Sequence, residues 1–170
     1  GGAPLAAARR LDVRVDRTRI RSRGVRRSPY SRGQSTGHDA SMRIPDHTPT
    51  LRSERVLMRP FQSEDALGRA RCGKDPDIMR MFGGSPPYTE PVAMPADEAE
   101  AWLQHVSTDG NPLHWALEVE GTFVGTARLH SADEFDQRAQ YAIGILDRQR
   151  LGIGLGAEVT QTIARYGFAG

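Results

Sequence analysis

The stretch from Tyr141 to Gly156, YAIGILDRQRLGIGLG, decides how the rest of the chain is read. Tyr141, Ile143 and Ile145 alternate with the small Ala142 and Gly144, the period of a β-strand, and the charged turn Asp147-Arg148-Gln149-Arg150 follows. Glycines stand at 152, 154 and 156, and Leu155, Val159, Ile163 and Tyr166 then recur at the spacing of one helical face. Strand, turn, glycine loop and helix in that order leave bare backbone N–H groups at a helix N-terminus, where amides and dipole together favour an anion. Glycine suits such a loop because a Cβ would hold a phosphate away and would restrict the φ values of a tight turn. The stretch is therefore expected to form a pyrophosphate cradle from Leu151, Gly152, Ile153, Gly154, Leu155, Gly156 and Ala157.

Other readings of the same glycines are open. Gly152 to Ala157 also spells G-x-G-x-x-A, the fingerprint of a dinucleotide-binding unit. In that unit the first glycine follows the strand almost at once, whereas here Asp147 to Leu151 intervene. A P-loop would need Lys-Ser/Thr after the glycines, and none is present. A plain β-to-α turn without a ligand is the remaining alternative.

At 170 residues and 38% hydrophobic content the chain has room for one domain with a real core. No run approaches the roughly 18 apolar residues of a membrane span, so a cytoplasmic protein that does not engage a membrane is expected. A single cysteine, Cys72, allows no internal disulfide and no thiolate metal site, and the five histidines are scattered without ligand spacing, so no metal is expected. The net charge of +2 hides an asymmetry: residues 1–41 carry ten Arg against three Asp, while 42–170 carry 13 basic against 18 acidic residues.

Residues 1–50 show neither period and are rich in Arg, Ser, Gly and Pro, which predicts a disordered extension. Met42 stands just before the composition changes, so 1–41 are expected to be translated upstream sequence, with a nucleic-acid arm or a transit peptide as the alternatives. From Leu51 the chain reads as one ordered unit to Gly170. Leu51 to Phe61 predicts a single first strand ending at Pro60. Ser63 is expected to cap a short helix, and Asp75-Pro76-Asp77 a second one over Ile78 to Phe82. Ala96 to Val106 predicts a helix with Asp97 and Glu100 as a cap-like pair and Trp102 in the core. His114 to Glu118 and Phe123 to Leu129 predict a hairpin turning at Glu120-Gly121, followed by a strand over Arg138 to Leu146 and a helix over Leu155 to Phe168. No strand follows that helix, which suggests truncation relative to a complete domain; the unpaired apolar edge at Tyr141 to Ile145 would be a site for homodimer association.

Over Leu51 to Gly170 the residues resemble the GNAT N-acetyltransferases, and among them the ribosomal-protein N-terminal acetyltransferase (RimJ/RimL) type. LRSERVLMRPF, DPDIMRMFGG, EAEAWL, Phe123-Val-Gly-Thr-Ala and AQYAIGI through GIGLGAE carry the resemblance. It implies an α/β (α+β) fold with a mixed, mainly antiparallel sheet flanked by helices. It also implies acetyl-CoA as acyl donor and an amine-bearing acceptor, a protein N-terminus or a small molecule. In that family a Q/R-x-x-G-x-G/A loop binds the coenzyme A pyrophosphate. Gln149 with Gly152 and Gly154 fits by letter; Gly154 and Gly156, with Leu151 at the Gln/Arg position, better matches how the family enters its helix. The resemblance further implies that Ile143, Gly144 and Ile145 offer backbone groups to the pantetheine arm like an added strand.

Direct acetyl transfer needs a neutral amine, a proton acceptor and donors for the thioester oxyanion, but no cysteine nucleophile. Many relatives place a Glu base where this chain has Gln140, whose neutral amide cannot take a proton as a base. Glu118, His130 and Tyr141 are weaker candidates, so no catalytic residue is assigned. A noncatalytic acyl-CoA binding module, a dinucleotide-binding domain and a basic-tailed nucleic-acid binder stand as competing functions.

Overall fold

The computed structural model describes residues 44–133 and 138–168, so residues 1–43 of the expected N-terminal extension lie outside the described residues. Five strands form one sheet in the order β1-β2-β3-β4-β5, with every neighbouring pair antiparallel. They are β1 (Leu51–Arg52), β2 (Leu57–Arg59), β3 (His114–Val119), β4 (Thr122–Asp133) and β5 (Arg138–Ile145). Helices α1 (Asp65–Cys72), α2 (Pro76–Met81) and α3 (Ala96–Ser107) lie between β2 and β3, and α4 (Leu155–Phe168) follows β5.

The single strand expected over Leu51 to Phe61 is instead a miniature hairpin. Ser53 N–H donates to the Val56 carbonyl at 3.0 Å, closing a four-residue turn, and β1 folds back on β2 with Leu51 opposite Met58. Turn chemistry overrides the alternating pattern, because the Ser53 hydroxyl also accepts from Val56 N–H at 3.1 Å. The β3–β4 hairpin turns at Glu120-Gly121 as expected, with φ of 52° and 74° at the two central residues, the left-handed pair that matches the twist of the strands.

Two layers of helix sandwich the sheet. On one face α4 lays Leu155, Val159 and Ile163 against Met58, Trp115, Leu117 and Val124, all essentially excluded from water. Trp115 meets Tyr166 edge-on at 6.2 Å and donates its indole N–H to the Pro49 carbonyl at 2.7 Å, which ties the segment before β1 to the core. On the other face α1 and α3 pack together, and Trp102 contacts Phe61 and Phe123 edge-to-face at 5.9 and 5.8 Å, a packing role as expected.

Beneath α1 lies a buried ionic cluster. Arg59 grips both oxygens of Asp65 at 2.8 and 2.9 Å and donates through Nε to Glu118 at 2.6 Å. Asp65 also accepts from Gln62 N–H at 2.8 Å, so it organises the entry to α1. Ser63, expected to cap this helix, gives its hydroxyl to Glu64 instead. Nor do Asp97 and Glu100 cap α3, whose N-cap residue is Pro95 and which has no side-chain cap. Asp75 does cap α2, accepting from the N–H groups of Asp77 and Ile78.

Candidate functional site

β5 runs into the glycine loop through a 3-10 turn, Arg148–Arg150, that Asp147 caps by accepting from Gln149 N–H at 3.0 Å. Four ion pairs fasten this turn to different parts of the fold. Asp147 lies 3.6 Å from Arg71 of α1, Arg148 binds Asp75 and Asp77 at the start of α2, and Arg150 meets Glu120 of the hairpin at 3.0 Å. Arg148 is held strongly protonated by the Asp75 carboxylate. The loop is thus anchored before its first glycine.

Gly152 and Gly154 have φ of 75° and 87°, which an L side chain adopts only under strain, and no atom lies within 4 Å of where a Cβ at Gly152 or Gly156 would stand. Ile153 is half exposed. The first intrahelical acceptor bond of α4 runs from Glu158 N–H to the Gly154 carbonyl at 3.2 Å, so the N–H groups of Leu155, Gly156 and Ala157 precede any carbonyl of their own helix. Leu155 itself turns its side chain into the core, 1% exposed, which sets the direction in which the helix leaves the loop. Leu151 closes the 3-10 turn by donating to the Arg148 carbonyl, and Gln149 is exposed.

A residue that sequence reasoning missed fastens the other side of this loop. Arg55, in the β1–β2 turn, donates its backbone N–H to Glu158 Oε1 at 2.6 Å, its Nε to Oε2 at 2.8 Å and its Nη1 to the Ile153 carbonyl at 3.0 Å. Burial works against the charge on Glu158, but the Arg55 N–H, the Ser53 hydroxyl and the Arg55 guanidinium outweigh it and hold this carboxyl below its usual range. The only hint in the sequence is that both residues fall inside the quoted motifs.

β5 is the edge of the sheet, so one side of its backbone is unpaired among the described residues. Leu146 N–H donates to the Val124 carbonyl, and the Gly144 carbonyl lies against Gly125 of β4, 2.0 Å from where a Cβ there would stand. Alternation then directs the backbone groups of Ile143 and Ile145 to the open edge while their side chains pack toward α4. Gly144 has its backbone turned to β4. Its missing Cβ leaves room for the half-exposed Phe82 ring, whose Cζ is 2.5 Å from the position a Cβ would take.

A family model described as "Acetyltransferase (GNAT) domain" matches residues 55–170. The chain belongs to the GNAT acetyltransferase family. It is 26% identical over 121 residues to the uncharacterized N-acetyltransferase p20 of Bacillus licheniformis, a match covering 70% of this chain and 66% of that protein. Solved structures share the fold. A GNAT-family acetyltransferase from Bacillus anthracis superposes with a TM-score of 0.53 at 17% identity, over 71% of this chain and 67% of its own. A GCN5-related N-acetyltransferase from Brucella melitensis gives 0.57 at 19% identity, over 78% and 59%. The GNAT fold expected from the sequence is therefore the fold observed.

The candidate proton acceptors of this GNAT chain occupy unequal places. Glu118 is engaged by Arg59. Tyr141 points to α4, its hydroxyl 3.1 Å from Thr160 Oγ1, and burial pushes its phenol up to about 12. His130 and Gln140 are direct partners across β4 and β5, in the same register row, with Arg128 and Ala142, then Thr126 and Gly144, in successive rows on the face that Phe82 reaches. Cys72 is partly buried in α1, and burial pushes its thiol up, away from thiolate chemistry. Among the described residues no group of three or more His, Cys, Asp or Glu could hold a metal, and no helix is long and apolar enough to cross a membrane. A groove of about 820 Å³, lined by Phe61, Asp109 and His114, lies at the end of β3 away from the Glu120 turn and the glycine loop.

Proposed function

We propose that the protein transfers an acetyl group from acetyl-CoA directly to a primary amine. The observation that carries this is the glycine loop: at Gly152 and Gly154 the backbone takes a conformation only glycine accepts freely, the space beside Gly152 and Gly156 is open, and three helix-leading amides follow. The residues present fit the group. Gly152 to Ala157 would hold the pyrophosphate, and the free edge at Ile143 and Ile145 would take the pantetheine arm as an added strand. Bound acetyl-CoA would supply the thioester, and the acceptor amine would arrive from the face that Phe82 and Gly144 share. Its proton would leave toward the His130–Gln140 row, through the imidazole or through water held by the amide.

The quoted motifs favour a RimJ/RimL-type acceptor, a protein N-terminus, in a cytoplasmic protein. A second reading, a noncatalytic acyl-CoA binding module, is favoured by one observation: Gln140, not a carboxylate, stands in the row beside His130. Calorimetry separates the nucleotide readings. The wild-type chain should bind coenzyme A and ignore a nicotinamide dinucleotide, and Gly154→Val should weaken coenzyme A binding about tenfold or more, because a β-branched residue at φ 87° must distort the loop. Equal affinities for wild type and variant would remove the cradle. Thiol release from acetyl-CoA with a panel of amines then tells an enzyme from a binding module.

A further inference from the structure

We propose that Arg55 is a positioning residue for the phosphates of acetyl-CoA: it holds Glu158 away from the amides at the start of α4 and fixes the Ile153 carbonyl, so that the loop N–H groups stay open to the anion. This rests on the acetyl-CoA reading of the loop. Glu158 sits in the first turn of α4, where a carboxylate is drawn to the same unpaired amides and the same dipole field as an anionic ligand. Left to itself it would compete with a phosphate by occupying those donors and by repelling its charge.

The structure removes that competition with a residue 103 positions away. Both Glu158 oxygens are taken, one by the Arg55 backbone N–H at 2.6 Å and the other by its Nε at 2.8 Å. The same guanidinium donates to the Ile153 carbonyl at 3.0 Å, and its Nη2 stands 3.5 Å from the Cβ position of Gly154. One side chain therefore pairs with the carboxylate, occupies one of its oxygens and pins the peptide that precedes Gly154. With the Arg55 side chain 44% exposed and that of Glu158 16% exposed, the pair is a rim contact whose plain stabilising value is small. Its consequence for an anion in the loop is larger, because the charge being controlled is adjacent to the ligand.

The test is a comparison of the full chain as wild type, Arg55→Ala and Arg55→Ala/Glu158→Gln, titrated with coenzyme A by calorimetry, with amide NMR of the ligand-free proteins alongside. Arg55→Ala should raise Kd about tenfold, the size of a favourable charge effect at a helix N-terminus. Removing the released charge in the double variant should restore Kd to within about threefold of wild type. Without ligand, the Gly156 and Ala157 amide signals should move in Arg55→Ala, as the carboxylate, left with the backbone N–H at position 55 and the Ser53 hydroxyl but no counter-ion, acts on them, and return in the double variant. Should Arg55→Ala not fold, Arg55→Gln carries the same comparison. A double variant as weak as the single one would mean that Arg55 touches the phosphate or merely braces the fold, and overturns the proposal, as does an Arg55→Ala protein of wild-type affinity. A folded wild type that binds no coenzyme A sinks the acetyl-CoA reading instead, while the ligand-free amide signals still decide whether Arg55 restrains Glu158.

Discussion

The place of one side chain, left open by the pattern of the chain, is given by its partners in the fold. Glu118 was a candidate proton acceptor by position alone, but the structure places it in a cluster with Arg59 and Asp65, where Arg59 is 8% and Asp65 1% exposed. Nothing local in LRSERVLMRPF announces that its last arginine will reach a carboxylate 59 positions on. Asp65 accepts from Arg59 Nη2 on one oxygen and from Arg59 Nη1 and Gln62 N–H on the other, while Arg59 Nε holds Glu118. Asp65→Asn should therefore cost about 1.5–3 kcal/mol, the usual worth of hydrogen bonds to a charged group, because Arg59 keeps Glu118 as its second counter-ion. Urea unfolding of the variant against wild type measures it; a loss below about 1 kcal/mol would show that water reaches Arg59 and that the cluster is not a keystone of the α1 face.

At the scale of elements, the strongly periodic pieces were legible and the tightly turned ones were not. Helix α4 appears over Leu155–Phe168 as its apolar spacing predicts, and β5 stops one residue short of expectation, at Ile145. The segment Leu51 to Phe61 misled because its alternation continues straight through a four-residue turn closed by Ser53 and Val56. Two of the three cap assignments failed for a related reason, while Asp75 caps α2 as expected: Ser63 and Asp97 have the right chemistry for a cap, but competing partners or the preceding proline set the geometry. The glycine loop was read correctly as a strand-to-helix connection, yet the contact that holds it, Arg55 to Glu158, spans the chain and leaves no local signature. Pairing of β4 with β5 makes its own demand on sequence. A Cβ at Gly125 would stand 2.0 Å from the Gly144 carbonyl oxygen, a backbone atom that cannot swing aside as a side chain could. Gly125→Ala should destabilise the protein by about 1–3 kcal/mol through forced separation of the two strands, and hydrogen exchange should speed up along β5 first. Wild-type stability in this variant would mean that the strands part locally without cost.

For the molecule as a whole, the sheet is held between an apolar face under α4 and a face under α1 and α3 that mixes aromatic and ionisable groups. The second face makes stability depend on pH near neutrality. His114 begins β3 on that side, 6% exposed, with Phe61 edge-on at 5.0 Å and Nδ1 2.9 Å from Asp109 Oδ2. Burial depresses its proton affinity, Asp109 opposes that by hydrogen bond and charge, and the Arg128 and His105 charges add to the depression, so the folded pKa lies below the ordinary value. A base with a depressed folded pKa binds protons more readily when unfolded. Its contribution to stability is then complete above the unfolded pKa, about 6.5, and is lost as pH falls through that value toward the folded one. The carboxyls of Asp75 and Glu158, held low by Arg148 and by Arg55, lose their contributions only further into acid. Unfolding free energy measured by urea titration should accordingly be flat from pH 8 to about 7 and decline between about 6.5 and 5. His114→Gln, which keeps a donor for Asp109 but cannot take a proton, should lower stability at pH 8 and flatten the decline in that window. An unchanged slope in the variant would assign the acid sensitivity to another group and would mean that His114 binds protons equally in the folded and unfolded protein.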